Sequence, residues 1–231
     1  MARMREDRAM LGRLPAAFAV LAVATAAGAA TAEAATYGSN LRRAPNLSFG
    51  CESALVRDVL TGAPTIAPSG QRTCTYRSLG VLGRVGIGSL VPSNGRITRV
   101  AVRSGRRPAP LRLTILESSG GGGQLGSCCT ALKLGPIMRP KANAVTRFNV
   151  NMRVHNIVDT HSGLVSTDVV AISAVGAGSL PLRATGGAGQ FLVGQPITSF
   201  WYPLTKVGDP RVEAYTMPGL ELLFQWTFTR R

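Results

Sequence analysis

The chain has 231 residues, 45% of them hydrophobic, and a formal net charge of +15. That is enough to bury a core as one large domain or two small ones. Beyond the N-terminus no run is long and apolar enough to span a bilayer as a helix.

The first 34 residues read as a secretory signal peptide. Arg3, Arg5, Arg8 and Arg13 precede an uncharged stretch, Leu14–Ala30, and the small-residue site Ala32-Glu33-Ala34 follows. That order predicts cleavage after Ala34 and a secreted, extracellular product. No twin-arginine pair sits in the n-region, and no cysteine lies close enough behind the site for a lipid anchor. Cleavage removes four arginines and three acids, leaving 22 basic and 8 acidic residues. The positive charge therefore belongs to the mature chain. Of its basic residues only Lys133, Lys141 and Lys206 are lysines.

Residues 35–91 form a turn-rich segment expected to pack on the main domain. Turn signals occur at Gly62-Ala63-Pro64 and Pro68-Ser69-Gly70. Leu55, Val56, Val59 and Leu60 have the spacing of one short helix, and Arg72–Leu79 suits a strand. Gly80, Gly83, Gly86 and Gly88 lack the Gly-Lys-Ser/Thr ending of a phosphate-binding loop.

From residue 92 to the end, alternation with period two dominates. It predicts strands over Arg96–Arg103, Leu111–Ile115, Phe148–Val154, Val170–Ala174 and Leu222–Thr229. Thr98, Val100 and Val102 are expected to face inward in the first. In Phe148–Val154 the apolar residues must face a core, while Arg147, Asn149, Asn151 and Arg153 face out. Weaker strands are expected near Leu180–Ala184, Gln190–Val193, Ser199–Leu204 and Arg211–Tyr215. Turn-rich connectors fall at Ser118–Gly123, Pro136–Asn143, Gly176–Ser179, Thr185–Gly189 and Val207–Pro210. The pattern predicts an all-β fold, an antiparallel β-sandwich or jelly-roll-like domain, with one buried face per strand.

Several segments resemble a set of exported proteins of high-GC Gram-positive soil bacteria. They are Pro92–Arg103 with Pro108–Leu113, Cys128-Cys129, Asn143–Phe148, Asp168–Ser173, Leu180-Pro181-Leu182, Tyr202-Pro203 and Met217–Trp226. The resemblance implies a secreted β-sandwich and carries no catalytic or binding residues with it.

Cys51, Cys74, Cys128 and Cys129 are an even set in an exported chain, which favours disulfides. Three connectivities exist, and Cys51–Cys74 with Cys128–Cys129 is preferred. A bridge between neighbours is geometrically strained, because their Cα atoms lie only ~3.8 Å apart. On a strand, Cys128 and Cys129 would instead point to opposite faces, and one could reach the N-terminal segment. Zinc is disfavoured without C-x2-C spacing.

Catalytic signatures are sparse. No G-x-S-x-G elbow exists, and only His155 and His161 could serve as a triad base. His155, Asp159 and His161 form a weak metal candidate in a short connector. The eight mature acids are scattered, with no spacing that selects a glycosidase pair; they are expected to pair with arginines or cap turns. No cofactor motif is present. Binding is the better reading. Trp201, Tyr202 and the neighbouring Tyr215 are candidate sugar-stacking residues, although core closure is the commoner use of such aromatics. Arg96, Arg99, Arg103, Arg106, Arg107 and Arg112 form the densest basic cluster, of which Arg103, Arg106 and Arg107 are the candidate contacts for an anionic polymer. The cluster contains no aromatic residue, so specific nucleic-acid binding is not expected. The expected function is a non-enzymatic binding or structural module for polysaccharide or anionic wall polymer. A secreted polysaccharide hydrolase and a passive structural domain are the alternatives.

Overall fold

A computed structural model of the chain describes residues 34–57, 64–81, 88–119, 129–158, 165–185, 196–201, 206–209 and 215–230. They belong to one compact unit, Ala32–Arg231. The expected signal peptide and the Gln190–Val193 strand lie outside the described residues. In chain order the strands are β1 (Ala34–Gly38), β2 (Ser53–Arg57), β3 (Pro64–Pro68), β4 (Cys74–Val81) and β5 (Gly95–Arg103). Next come β6 (Leu111–Ser119), β7 (Thr130–Met138), β8 (Val145–Val154), β9 (Asn156–Val158) and β10 (Val165–Ala174). The last five are β11 (Leu182–Ala184), β12 (Pro196–Trp201), β13 (Tyr215–Pro218), β14 (Leu220–Leu222) and β15 (Phe224–Arg230).

The fold is all-β, and the described residues contain no helix. A four-stranded sheet runs β1-β15-β5-β8. A seven-stranded sheet runs β13-β12-β4-β10-β6-β7, with β9 also on β10. Strand pairings in both are antiparallel. Their inner faces form one core. Ile97, Val100, Val102, Val154, Phe224, Trp226 and Phe228 from the smaller sheet meet Tyr76, Leu111, Leu113, Ile115, Val170 and Ile172 from the larger. Trp226 is fully buried and stacks on Tyr37 of β1, with ring centroids 4.5 Å apart. The strands β1 and β4 place residues of the 35–91 segment within both sheets.

Alternation is followed closely in β8, where Phe148, Val150, Met152 and Val154 turn to the core and the Arg/Asn positions are exposed. Elsewhere the structure corrects it. Between Thr227 and Phe228 the β15–β5 register shifts, leaving Thr98 as an extra residue on β5. Such a bulge reverses the alternation, so Ile97 rather than Thr98 faces the core together with Val100. The short helix expected around Leu55 is a strand instead: β2 pairs with β3, placing Leu55 opposite Ile66. Cross-strand hydrogen bonding overrides a helical spacing only one turn long.

The strand β7 includes Pro136–Met138, which read as connector. It is an edge strand, where proline is tolerated, and its register with β6 shifts twice. These irregularities erase the period-two signal. The expectation of one buried face per strand fails in β10, where Thr167–Ala174 is buried throughout. Val170, Ile172 and Ala174 join the main core, while Val169 and Ala171 form a second cluster with Leu116, Cys129 and Ala131 on the outer side.

Candidate binding groove

One end of the sandwich gathers four connections. They are the strap between β1 and β2, the β5–β6 turn, the β7–β8 turn and the β10–β11 turn. Together they enclose an open groove of about 1030 Å³. Its wall includes Pro45, Leu47 and Ser48 from the strap, Arg106 and Arg107 from the β5–β6 turn, and Asn143 and Ser179.

Backbone hydrogen bonds hold these segments together. Ser104 N donates to Ala144 O at 3.0 Å and Asn143 N to Gly105 O at 2.9 Å. Ser179 donates to Arg107 O through its N at 2.6 Å and through its Oγ at 2.9 Å. Leu180 N donates to Phe49 O at 3.0 Å. The floor requires glycine: Gly178 has φ +135°, and a Cβ there would sit 2.5 Å from Ala109 N.

The strap is tied down along its length. Arg103 donates from Nη1 to Leu41 O at 3.0 Å, and Arg183 from Nη1 to Ala44 O at 2.9 Å. The Asn46 side chain pairs with the Ala184 backbone in both directions, at 2.9 and 2.8 Å. A disulfide joins Cys51 to Cys74 with a Cα separation of 5.4 Å, anchoring the strap to β4 inside the core. Cys51 lies between Gly50 and Glu52, both groove residues, so the cross-link reaches the groove wall.

The residues singled out in the sequence are dispersed by the fold. Arg106 and Arg107 line the groove and are exposed, with no carboxylate partner among the described residues. Arg103 serves the strap. Arg96 and Arg99 lie on the outer face of the four-stranded sheet, and Arg112 lies on β6 of the other sheet. The backbone places Trp201 opposite Thr75, and Tyr215 opposite Phe200, so their strands are neighbours as expected. Tyr202, Asp159, His161 and Cys128 lie outside the described residues. Cys129 is disulfide-bonded.

Asp209 caps a turn as expected, its Oδ2 accepting from Lys206 N at 3.3 Å, while two glutamates take serine hydroxyls. Glu117 accepts from Ser166 Oγ at 2.9 Å, and Glu221 accepts from Ser39 Oγ at 2.7 Å. His155 is largely exposed, with Nδ1 3.7 Å from the buried carboxylate of Asp168. That carboxylate accepts from His155 N at 2.9 Å. Burial is the main influence on Asp168 and holds its pKa above the ordinary aspartate range, against the opposing pull of the His155 backbone N–H and Lys133. No group of three metal-ligating side chains occurs among the described residues.

Glu52 is the single carboxylate among the groove-lining residues. What the groove offers is therefore two guanidinium forks, amide and hydroxyl groups, and a pre-formed backbone wall. Sequence reasoning missed the strap, Asn143 and Ser179. Their signals were turn chemistry alone, including the positive φ of Asn143, 51°. Comparison of the chain with family models, with curated proteins and with solved structures gave no match.

Proposed function

We propose that the protein is an exported, non-enzymatic binding domain whose loop-end groove takes a segment of anionic polysaccharide. The observation that carries this reading is the pair Arg106 and Arg107, exposed in the groove without a carboxylate partner among the described residues. Arginine forks pair bidentately with carboxylates, and Ser48 and Asn143 supply partners for sugar hydroxyls. The rigid strap lowers the ordering cost of binding. Export is supported by the N-terminal pattern and the buried disulfide. The strand β1 begins at Ala34, so cleavage after that residue keeps the pairings from Ala35–Phe228 to Gly38–Gln225.

The test is retention of the secreted protein on immobilised polygalacturonate and on neutral dextran, with salt raised from about 50 to 200 mM. Retention on polygalacturonate is expected, with loss in R106S/R107S. Equal retention of wild type and variant would overturn the groove assignment, and no retention on either glycan would overturn polysaccharide binding. The intact mass of the secreted product checks processing, since a mass that includes residues 1–34 contradicts cleavage.

A further inference from the structure

The outer face of the four-stranded sheet has a composition that folding alone does not call for. It carries Arg96 and Arg99 from β5 and Arg147 and Arg153 from β8; Arg147 stands opposite Ala101, and the other three lie toward the Gly95–Val154 end. Each alternates with a residue turned to the core. The register aligns three of them in two rows across the strands, Thr229–Arg96–Arg153 and Thr227–Arg99–Asn149, while Arg147 ends the row Gln225–Ala101 at the sheet edge. Arg96 and Arg153 are directly opposite, an arrangement of like charges that disfavours strand pairing. None of these four arginines has a carboxylate partner among the described residues. Arg96 donates to the amide oxygen of Asn151 instead.

The opposite end of the same face is closed. Leu41 packs there over Ala101 and Leu223, with Val145 alongside. The inner strands of one end are thus capped by the strap, with exposed Arg147 beside the cap, while the other end is left polar and cationic. A chain selected only for stability would place an acid in one of these rows.

We infer that this face is a second binding surface, on which an acidic polysaccharide lies as an extended chain. It shares the ligand class proposed above but does not depend on the groove. Arg147 and Arg153 are six residues apart on one strand, so the guanidinium row spans roughly 20 Å, longer than one sugar contact needs. Asn149, Asn151, Thr227 and Thr229 lie between the charges and suit hydroxyl groups. Among the described residues the open end shows no exposed aromatic residue to stack a base and no exposed large apolar residue to enter a lipid surface. Those two absences favour a carboxylated glycan over nucleic acid or membrane.

The experiment compares R99S/R147S/R153S with a charge-matched control, R42S/R72S/R139S, using the full secreted chain and soluble polygalacturonate. The face variant is expected to weaken binding about tenfold or more and to lower the log–log salt slope by about two to three. The control is expected to do much less. Equal weakening in both triples means net charge alone and overturns the inference. So does complete loss of binding in R106S/R107S with no effect of the face variant, a result that leaves the groove reading standing. Loss in the face variant alone has the reverse meaning. Tighter face-dependent binding of polyphosphate or duplex DNA would overturn the glycan assignment. Unchanged thermal midpoints show that the variants fold, as exposed substitutions should.

Discussion

The two sheets share a core but have opposite outer faces. On the four-stranded sheet the outward positions of β8 are Arg147, Asn149, Asn151 and Arg153, all exposed. On the seven-stranded sheet the outward side of β10 is buried. Ser173 Oγ lies 2.8 Å from Thr75 Oγ1 and 2.7 Å from Thr114 Oγ1, while Val169 and Ala171 pack with Leu116 and Ala131. Similar antiparallel pairing therefore supports one wet face and one dry one. Side-chain alternation governs the inner faces of both, but the outer face of each follows from what the rest of the chain places over it.

The comparison is broken most directly by putting arginine on each outer face. Val169→Arg buries an unpaired charge and is expected to cost more than about 4 kcal/mol, whereas Asn149→Arg, exposed but opposite Arg99, should cost no more than about 1 kcal/mol. Urea midpoints of the two variants measure the contrast, and similar losses would erase it. Next in size is the cross-link: Cys51→Ala with Cys74→Ala should cost about 2–5 kcal/mol in the oxidised protein. It should also weaken polygalacturonate binding, because Gly50 and Glu52 on either side of buried Cys51 line the groove. An unchanged affinity would show that the wall holds without it.

A smaller effect is expected at the hydroxyl triad. Ser173→Ala leaves two buried threonine hydroxyls short of a partner and should cost about 1–3 kcal/mol, while the combined T75V/S173A/T114V should recover much of that loss. A triple variant weaker than the single would mean that the hydroxyls contribute through contacts beyond one another. The smallest effect is a pH dependence at Asp168. Its raised pKa means the folded state holds the proton more tightly than the unfolded chain, so this group's contribution is most favourable below about pH 4. It declines as pH rises from there to the higher folded pKa, then stays constant. Asp168→Asn lacks that decline, so its stability relative to wild type should improve across the window. Parallel denaturation curves at every pH would exclude a proton-linked role for this carboxylate.

Of the residues that line the groove, Arg106 and Arg107 were singled out in the sequence by charge density alone. Their neighbours in the groove were not, because the strap, Asn143 and Ser179 meet only through turns distant in sequence. The arginine face was half legible. The outward set of β8 follows from alternation, but its union with Arg96 and Arg99 needs the β5–β8 register.

By itself the sequence determined the all-β class, the position of the main strands and the inner face of β8, since alternation is a local property of an extended backbone. It also determined the excess of arginine and the pairing-competent cysteines. Tertiary structure alone decided which arginines share a surface, where the bulge at Thr98 turns Ile97 inward, and that β10 is buried on both sides. Those outcomes depend on strand register and long-range packing, which place residues far apart in the chain within a few ångströms of each other.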